Sequence, residues 1–359
     1  MTRLTIGLST PVILTVSVAI FAAIGSAFSA GFEARVSLTL VWMVIVIGLY
    51  TFIGNSGIVS FGHIAFMAIG AYAYGLMTIP PMVKRTILPE LPTVMQDLDV
   101  PTLPATILAG LIAAVFAVVI SPLVRRLSGI AAAIALFAVL TIVNVVIGEA
   151  EAITRGHAVL TGIPFSTGLG GTLGWGVVAI CSAWWFQNSR SGLRLRASRE
   201  DEFAARAAGV SIPRERIRAL IVSGFFVGVG GALFAGLLGS ISPTAFFIGV
   251  TFTTLAMLVI GGMRSLTGAV LGTATVFVGT ELLRRAEKGF DISALHVPPR
   301  AGLQLLGVAA LGLIVLLVRP RGLTGGREVS LRPGQGARAA GALSGLAGML
   351  RRGRPERRP

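Results

Sequence analysis

The sequence predicts an all-α protein that crosses a membrane about ten times. Of its 359 residues, 54% are hydrophobic and only 13% are charged, and the mean hydropathy is +0.85. Soluble globular domains carry about 25% charged residues. Between residues 4 and 318, long apolar runs alternate with short polar loops. Most runs approach the roughly 20 residues that a helix needs to cross a hydrocarbon core.

The first apolar run, residues 4–30, carries no charged residue. As a helix it would be about 40 Å long, and a cleaved signal segment usually has an apolar region of only about 7–15 residues. We therefore expect a retained span. Nine further runs follow in order: 36–53, 63–80, 104–124, 128–148, 173–189, 219–240, 249–263, 266–283 and 302–318.

The distribution of Lys and Arg predicts the orientation, because cytoplasmic loops hold an excess of positive charge. With ten spans and both termini in the cytoplasm, 22 of the 30 Lys and Arg residues lie on the cytoplasmic side and eight on the outer side. The segment 281–300 contributes four of those eight and fits this orientation least well.

Two basic segments stand apart from the predicted transmembrane domain of residues 1–318. The loop at 190–218, called the basic loop below, holds eight basic residues, and the tail at 319–359 holds ten arginines. A tail of Arg, Gly, Ala and Pro is expected to be disordered and held near anionic lipid. The net charge of +15 does not indicate nucleic-acid binding, because no aromatic residue interleaves the tail arginines to stack on bases.

The basic loop contains a pattern typical of a short capped helix. Ser198, with Asp201 three positions later, fits a capping box. Acidic residues at positions 200–202 would fill the first turn, where the helix dipole favours them. We therefore predict a helix that begins at Arg199. Glu202 and Arg206 stand four residues apart in the order that stabilises a helix.

This helix is predicted to end near Ala208, since Gly209 can adopt the left-handed conformation and Pro213 lies just beyond it. One face would combine an aromatic ring with small side chains: Phe203, Ala204, Ala207 and Ala208. Such a face could seat in a groove on another protein. The alternative is a solvated helix at the membrane surface that only follows the positive-charge rule.

A second polar interruption, residues 54–62, is called the polar segment below. It divides a stretch without formal charge that runs from residue 36 to residue 83. Irregular backbone at membrane depth persists only where protein or a water-filled cavity satisfies it. We therefore predict a broken helix, with Asn55 and Ser60 lining a pore. The alternative is that the small residues here, and Gly70 nearby, let helices pack closely.

Four segments of the chain, within residues 40–326, resemble in order those of LivM-type permeases of branched-chain amino-acid ABC importers. They are GNSGIVSFGHIAFMAIGAYA at 54–73, the basic loop with its following span at 189–246, VIGGMRSLTGAVLG at 259–272 and RPRGLTGG at 319–326. In that family an acidic-Ala-Ala-three-residues-Gly pattern marks the coupling helix that docks on the ATPase. Here it falls on Glu202, Ala204, Ala205 and Gly209, close after Arg199, and these five residues are the implied coupling residues.

The pathway that the solute takes through the protein is predicted to be lined by residues of the polar segment and its end: Gly54, Asn55, Ser60, Gly62 and His63. The late segment of the resemblance adds Gly261 and Gly262. Some positions depart from the family. Arg264 stands where Gly is common, and Ala269 stands where Pro is common. In the outer segment 154–164, three larger residues replace small ones: Arg155, His157 and Val159. These departures leave the substrate open and the expected architecture unchanged.

The resemblance implies the ABC-importer permease fold, in the bacterial inner membrane, and a cargo of leucine, isoleucine and valine or of related amides and carboxylates. The implied partners are a second homologous permease, two ABC ATPases and an extracytoplasmic solute-binding protein, besides membrane lipid. The chain has no Walker-type phosphate loop, since its only lysines are Lys84 and Lys288. ATP and Mg²⁺ are therefore expected in the partner ATPases, with neither a cofactor nor a metal site in this chain.

Two other function classes remain open at this stage. An ion-coupled secondary transporter usually places an ionisable group within the bilayer, whereas Glu149, Glu151 and Glu281 lie at span ends. An intramembrane enzyme would use His63, although a lone histidine at the end of a span is more typical of a hydrogen-bonded interface residue. Asn144, deep in its span, could line a pathway or tie two helices together. Neither an ion-coupled transporter nor an intramembrane enzyme accounts for the capped helix in the basic loop.

Overall fold

The computed structural model describes residues 2–27, 29–287, 290–292, 295–297 and 303–329. This part of the chain is almost entirely helical, which confirms the predicted class. Its helices are α1 (Thr2–Ser26), α2 (Ala30–Ser56), α3 (His63–Thr78), α4 (Pro81–Ile87), α5 (Thr93–Gln96), α6 (Thr102–Arg126), α7 (Gly129–Glu149), α8 (Glu151–Thr154), α9 (Leu169–Asn188), α10 (Arg190–Glu200), α11 (Glu202–Ala207), α12 (Ile212–Leu238), α13 (Ile248–Gly261), α14 (Leu266–Glu287) and α15 (Leu303–Val318).

Strands contribute only two short antiparallel pairs in the described residues. Strand β1 (Leu160–Thr161) pairs with β2 (Ser240–Ile241), and β3 (Phe290–Ile292) pairs with β4 (Leu295–Val297). A 3-10 turn at Pro243–Phe246 precedes α13.

Each of the ten predicted spans falls on a helix, but the number of ten crossings is not confirmed. Eight helices of the described residues are long and apolar enough to cross a membrane, and the number is nine if the bent pair α3 and α4 counts as one span. Helices α3 and α15 have 16 residues each, and such a helix is about 24 Å long. A helix of this length is shorter than the roughly 20 residues that a full crossing usually needs.

Helix α12 forms the centre of the bundle and packs against α2, α3 and α6. Close approach is possible because glycines face one another: a Cβ added at Gly231 would overlap the Met67 carbonyl, and one at Gly70 would overlap the Gly228 backbone. Without a strong hydrophobic driving force in lipid, such small residues allow the van der Waals contact that holds membrane helices together. Close packing, the alternative considered for Gly70, is therefore its role.

The loops predicted to lie on one side of the membrane meet at one end of the bundle, called the basic end below. There, Arg199 of the basic loop donates to the carbonyl of Gly54 in the polar segment. Arg264, which follows α13, lies 3.9 Å from Glu200. At the opposite end, β1 pairs with β2, and Tyr74 hydrogen-bonds Ser166 at 2.6 Å. This arrangement agrees with the predicted grouping of the loops.

Residues 319–329 pack on the basic end, so the expectation of a disordered tail does not hold for them. Leu323 and Thr324 donate backbone N–H groups to the carbonyls of Ile260 and Gly261 at 2.9 and 3.1 Å. The Glu328 carboxylate accepts from N–H groups at the start of α14, at 2.7 and 3.0 Å, which offsets the unpaired donors of that helix. The remaining tail, 330–359, lies outside the described residues.

We expect Gly231→Ala to lower the free energy of unfolding, because its new methyl group would overlap the α3 backbone. Overpacking of this kind costs about 1–3 kcal/mol. Gly174→Ala on α9 is the matched control, since its methyl group meets no atom within 4 Å. Thermal unfolding in detergent measures both variants, and equal midpoints would contradict the packing argument.

Candidate functional site

The basic loop contains two helices in place of the single one predicted. Helix α10 runs from Arg190 to Glu200, and α11 runs from Glu202 to Ala207. The predicted start at Arg199 is wrong, because Ser198 lies inside α10, where its hydroxyl donates to the Leu195 carbonyl. The true N-cap is Asp201, which is extended and accepts from the Ala204 N–H at 3.0 Å.

The predicted end of this helix is confirmed. Helix α11 stops at Ala207, and Gly209 has a φ of +78°. A Cβ at Gly209 would meet no atom within 4 Å, so the conformation alone favours glycine there. The Gly209 N–H donates to the Arg206 carbonyl at 2.9 Å, and Val210 N–H donates to Ala205 at 3.0 Å. These bonds use carbonyl groups that the helix end leaves free.

The predicted small-residue face of α11 is exposed. Phe203, Ala204, Ala207 and Ala208 all face outward, and Phe203 is 84% exposed. Ala205 is buried and anchors the helix from the other side. The Phe203 ring therefore makes little contact with the rest of the described chain.

Ion pairs attach the two short helices of the basic loop, α10 and α11, to the start of α12. Glu202 pairs with Arg206 at 2.6 Å, as predicted from their spacing, and also lies 3.5 Å from Arg216 near the start of α12. Helix α10 is attached in the same way, because Glu215 of α12 pairs with Arg194 at 3.5 Å. Arg216 and Glu215 are both buried. The loop is therefore fixed to the central helix at two places.

Arg199 connects the basic loop to α2. It lies in the last turn of α10, and its guanidinium donates to the Gly54 carbonyl near the end of α2. Its side chain also fills the space beside Gly57, where a Cβ would lie 2.6 Å from the Arg199 Cγ. A hydrogen bond from Arg199 lowers the pKa of the neighbouring Glu200 carboxyl group.

The polar segment separates two helices, in agreement with the predicted break. Helix α2 ends at Ser56, Gly57 has a φ of +74°, and α3 begins at His63. Asn55 is fully buried and donates to the Thr51 carbonyl at 2.9 Å. The Ser60 hydroxyl lies 2.5 Å from His63 Nδ1.

His63 is buried at the start of α3 and hydrogen-bonded to Ser60, and its expected position at the membrane interface stays a prediction. Its ring packs against Phe52 and Phe66, with centroid distances of 5.3 and 5.5 Å. The described residues contain no cluster of three His, Cys, Asp or Glu that could hold a metal ion. This setting provides His63 with a hydrogen bond and aromatic contacts but with no neighbouring acid.

The predicted pathway residues fall into two groups. Gly54, Asn55, Ser60, Gly62 and His63 lie together around the polar segment, whereas Gly261 and Gly262 lie where α13 turns into α14. Several of these glycines permit close contact: a Cβ at Gly62 would overlap the Leu136 carbonyl, and one at Gly261 would overlap the Gly268 backbone. Gly262 has a φ of +119° and packs against Thr324. Their assignment to a pathway remains a prediction.

A cavity of about 590 Å³ lies beside the polar segment and was not predicted from the sequence. Its walls come from the polar segment, from the start of α7 and from Phe252 of α13; they include Ile58, Phe61, Ile134 and Phe137. On α7 these residues follow helical spacing and are indistinguishable in sequence from lipid-facing residues. Asn144, further along α7, donates to the Pro243 carbonyl at 2.8 Å and ties α7 to the turn before α13.

Comparison with known proteins places this architecture in a family. The family described as "Branched-chain amino acid transport system / permease component" matches residues 31–318. The high-affinity branched-chain amino acid transport system permease protein LivM of Escherichia coli (strain K12) is 26% identical over 324 residues, which are 80% of this chain and 68% of that protein. LivM of Salmonella typhimurium is 26% identical over 322 residues, with the same two shares. No solved structure matches the chain. This multi-pass membrane protein belongs to the family of branched-chain amino acid transport permeases.

Proposed function

We propose that this chain is the permease subunit of an ATP-binding-cassette importer and that α11 is its coupling helix. The observation that carries the proposal is a short capped helix that exposes Phe203 and a face of alanines at the basic end. The helix is held by a cap, by ion pairs and by a glycine stop, so it can transmit force without melting. A groove on an ATPase subunit is the proposed partner of this face.

The contacts of the basic loop suggest two routes for that force. The Glu202–Arg216 pair leads from α11 to α12, the central helix of the bundle. The bond from Arg199 to the Gly54 carbonyl leads from α10 to the end of α2 and to the polar segment. Closure of an ATPase dimer against α11 would therefore move the helices on both sides of the predicted pathway.

The proposed assembly contains a second homologous permease, two ATPases that bind ATP and Mg²⁺, and an extracytoplasmic solute-binding protein. The basic end would face the cytoplasm of a bacterium, with both termini inside. The surplus of Lys and Arg in the loops at that end supports this orientation.

The proposed cargo is leucine, isoleucine or valine, or a related small amide or carboxylate. The two LivM relatives are permeases of branched-chain amino acid transport systems, which supports this cargo. A solute-binding protein would deliver the cargo at the opposite end. Uptake that survives ATP depletion but collapses with an ionophore would support ion coupling and contradict this proposal.

We expect Glu202→Lys to abolish ATP-dependent uptake while the protein still inserts into the membrane. The new lysine would break the pairs with Arg206 and Arg216 and would repel both. Gly209→Pro should also abolish ATP-dependent uptake, because proline cannot adopt the positive φ found at this position. Glu90→Lys is the control, with the same charge change at an exposed position of the opposite end. Full uptake by Glu202→Lys with its ATPases bound would eliminate the assignment of α11.

We expect Arg199→Met to uncouple transport from ATP hydrolysis without releasing the ATPase. The variant loses a charge-assisted hydrogen bond to Gly54, a contribution of about 1.5–3 kcal/mol, so uptake per ATP should fall on the order of tenfold. Arg190→Met, at an exposed position of the same helix, is the matched control. The measurement is the ratio of solute transported to ATP hydrolysed in proteoliposomes. An unchanged ratio would remove Arg199 from the route.

A further inference from the structure

Residues 319–329, called the strap below, lie directly on the turn between α13 and α14 at the basic end. The Thr324 hydroxyl donates to the Gly261 carbonyl at 3.0 Å, in addition to the bond from the Thr324 N–H group. Gly322 has a φ of +76°, and a Cβ at this position would lie 2.5 Å from the Gly262 Cα. The strap and the turn are therefore in backbone contact.

Glu328 fixes the strap to the first turn of α14. One carboxylate oxygen accepts from the Leu266 N–H at 2.7 Å, and the other accepts from the N–H and the hydroxyl of Thr267 at 3.0 and 2.7 Å. The Thr267 hydroxyl accepts in turn from the Val329 N–H at 3.2 Å, and Thr10 of α1 donates to the Val329 carbonyl at 2.9 Å. Hydrogen bonds to a carboxylate are charge-assisted and therefore strong. A single side chain thus joins the strap to α14 by three such bonds.

The Glu328 carboxylate also acts electrostatically on Tyr50, which lies on α2. Tyr50 is buried, and its hydroxyl donates to Gln187 Oε1 of α9 at 2.6 Å. Arg196 of α10 donates to the Gln187 carbonyl at 2.6 Å. These four residues, called the polar bridge below, lead from the strap through α2 and α9 to α10. Networks of this kind can carry energetic coupling between separate sites.

The strap approaches α10 at a second place. A Cβ at Gly326 would lie 3.3 Å from the Arg264 Cβ, and Arg264 lies 3.9 Å from Glu200 in the last turn of α10. A cap for α14 needs contact only with the N–H groups that this helix leaves unpaired. The polar bridge and the contact at Arg264 therefore exceed what a cap requires, and both lead to the helix that precedes α11.

We infer that Glu328 is a positioning residue for the coupling of ATP hydrolysis to transport. It holds the start of α14 and the turn from α13 against the polar bridge, so that a displacement of α10 moves α13 and α14 together with α2. The inference rests on the proposed function and adds a third route to the two that lead from the basic loop. This route ends on the strap.

Glu328→Gln tests the inference in the complete transporter in proteoliposomes. Glutamine keeps the size of the side chain but has one acceptor oxygen, so its amide nitrogen would face a donor at the start of α14. We expect the leucine transported per ATP hydrolysed to fall on the order of tenfold while the ATPase stays bound. Glu90→Gln, the same change at an exposed position of the opposite end, is the matched control and should leave this ratio unchanged.

Tyr50→Phe distinguishes the polar bridge from a simple helix cap. The variant keeps the buried ring and removes only the hydroxyl, and we expect a similar fall in the ratio. In the double variant with Glu328→Gln, the fall should be no larger than in either single variant, because both changes interrupt one network. Two independent falls that multiply in the double variant would overturn the inference.

Thermal unfolding separates positioning from stability. A lower midpoint of unfolding with an unchanged transport ratio in Glu328→Gln would reduce the residue to a cap of α14 and overturn the inference. If Glu328→Gln does not assemble, the ratio in Tyr50→Phe decides: a fall supports the inference, and no change overturns it. An overturning result with an unmodified transporter whose leucine uptake requires ATP would leave the proposed function intact. Leucine uptake by the unmodified transporter that survives ATP depletion would instead overturn the proposed function.

Discussion

The exclusion of water from the bilayer is the constraint on which this structure depends. It requires each backbone polar group to find a partner within the protein, which makes helices the only practical spanning elements. It also removes the hydrophobic drive between helices, so α12 relies on glycines such as Gly228 and Gly231 to approach α3 and α6 closely. The polar segment is the clearest departure from this constraint. It joins α2 to α3 without helical structure and contributes Gly57, Ile58, Val59 and Phe61 to the wall of the cavity.

The basic end gathers the elements that would have to move together. Glu202 connects α11 to α12, and Arg199 connects α10 to the end of α2. Residues 319–329 add a third connection, because Glu328 caps α14 while Leu323 and Thr324 bind the end of α13. Hydrogen bonds and ion pairs therefore join the exposed helix α11 and its neighbours to helices on two sides of the polar segment. The opposite end has no corresponding basic loop in the described residues.

The differences between expectation and structure arise where a local pattern allows more than one outcome or where distant residues make the deciding contact. Ser198 and Asp201 both suit an N-cap. Helix α10 continues through Ser198, so Asp201 is the N-cap of α11. The composition of the tail indicated disorder, yet Glu328 finds free N–H groups at α14 that no inspection of nearby sequence reveals. Residues of α7 such as Ile134 suit a lipid-facing surface equally well, so the cavity they line was not foreseen.

The sequence by itself determined the helical class, the positions of the apolar helices, the stop at Gly209 and the Glu202–Arg206 pair. These properties depend on hydropathy, backbone conformation and spacing within a few residues, which the order of amino acids states directly. Only the tertiary structure decided which helix occupies the centre, which carbonyl Arg199 binds and where the apolar cavity forms. Those properties depend on contacts between residues far apart in the chain, such as Arg199 with Gly54 and Phe61 with Phe252, and local patterns carry no information about them.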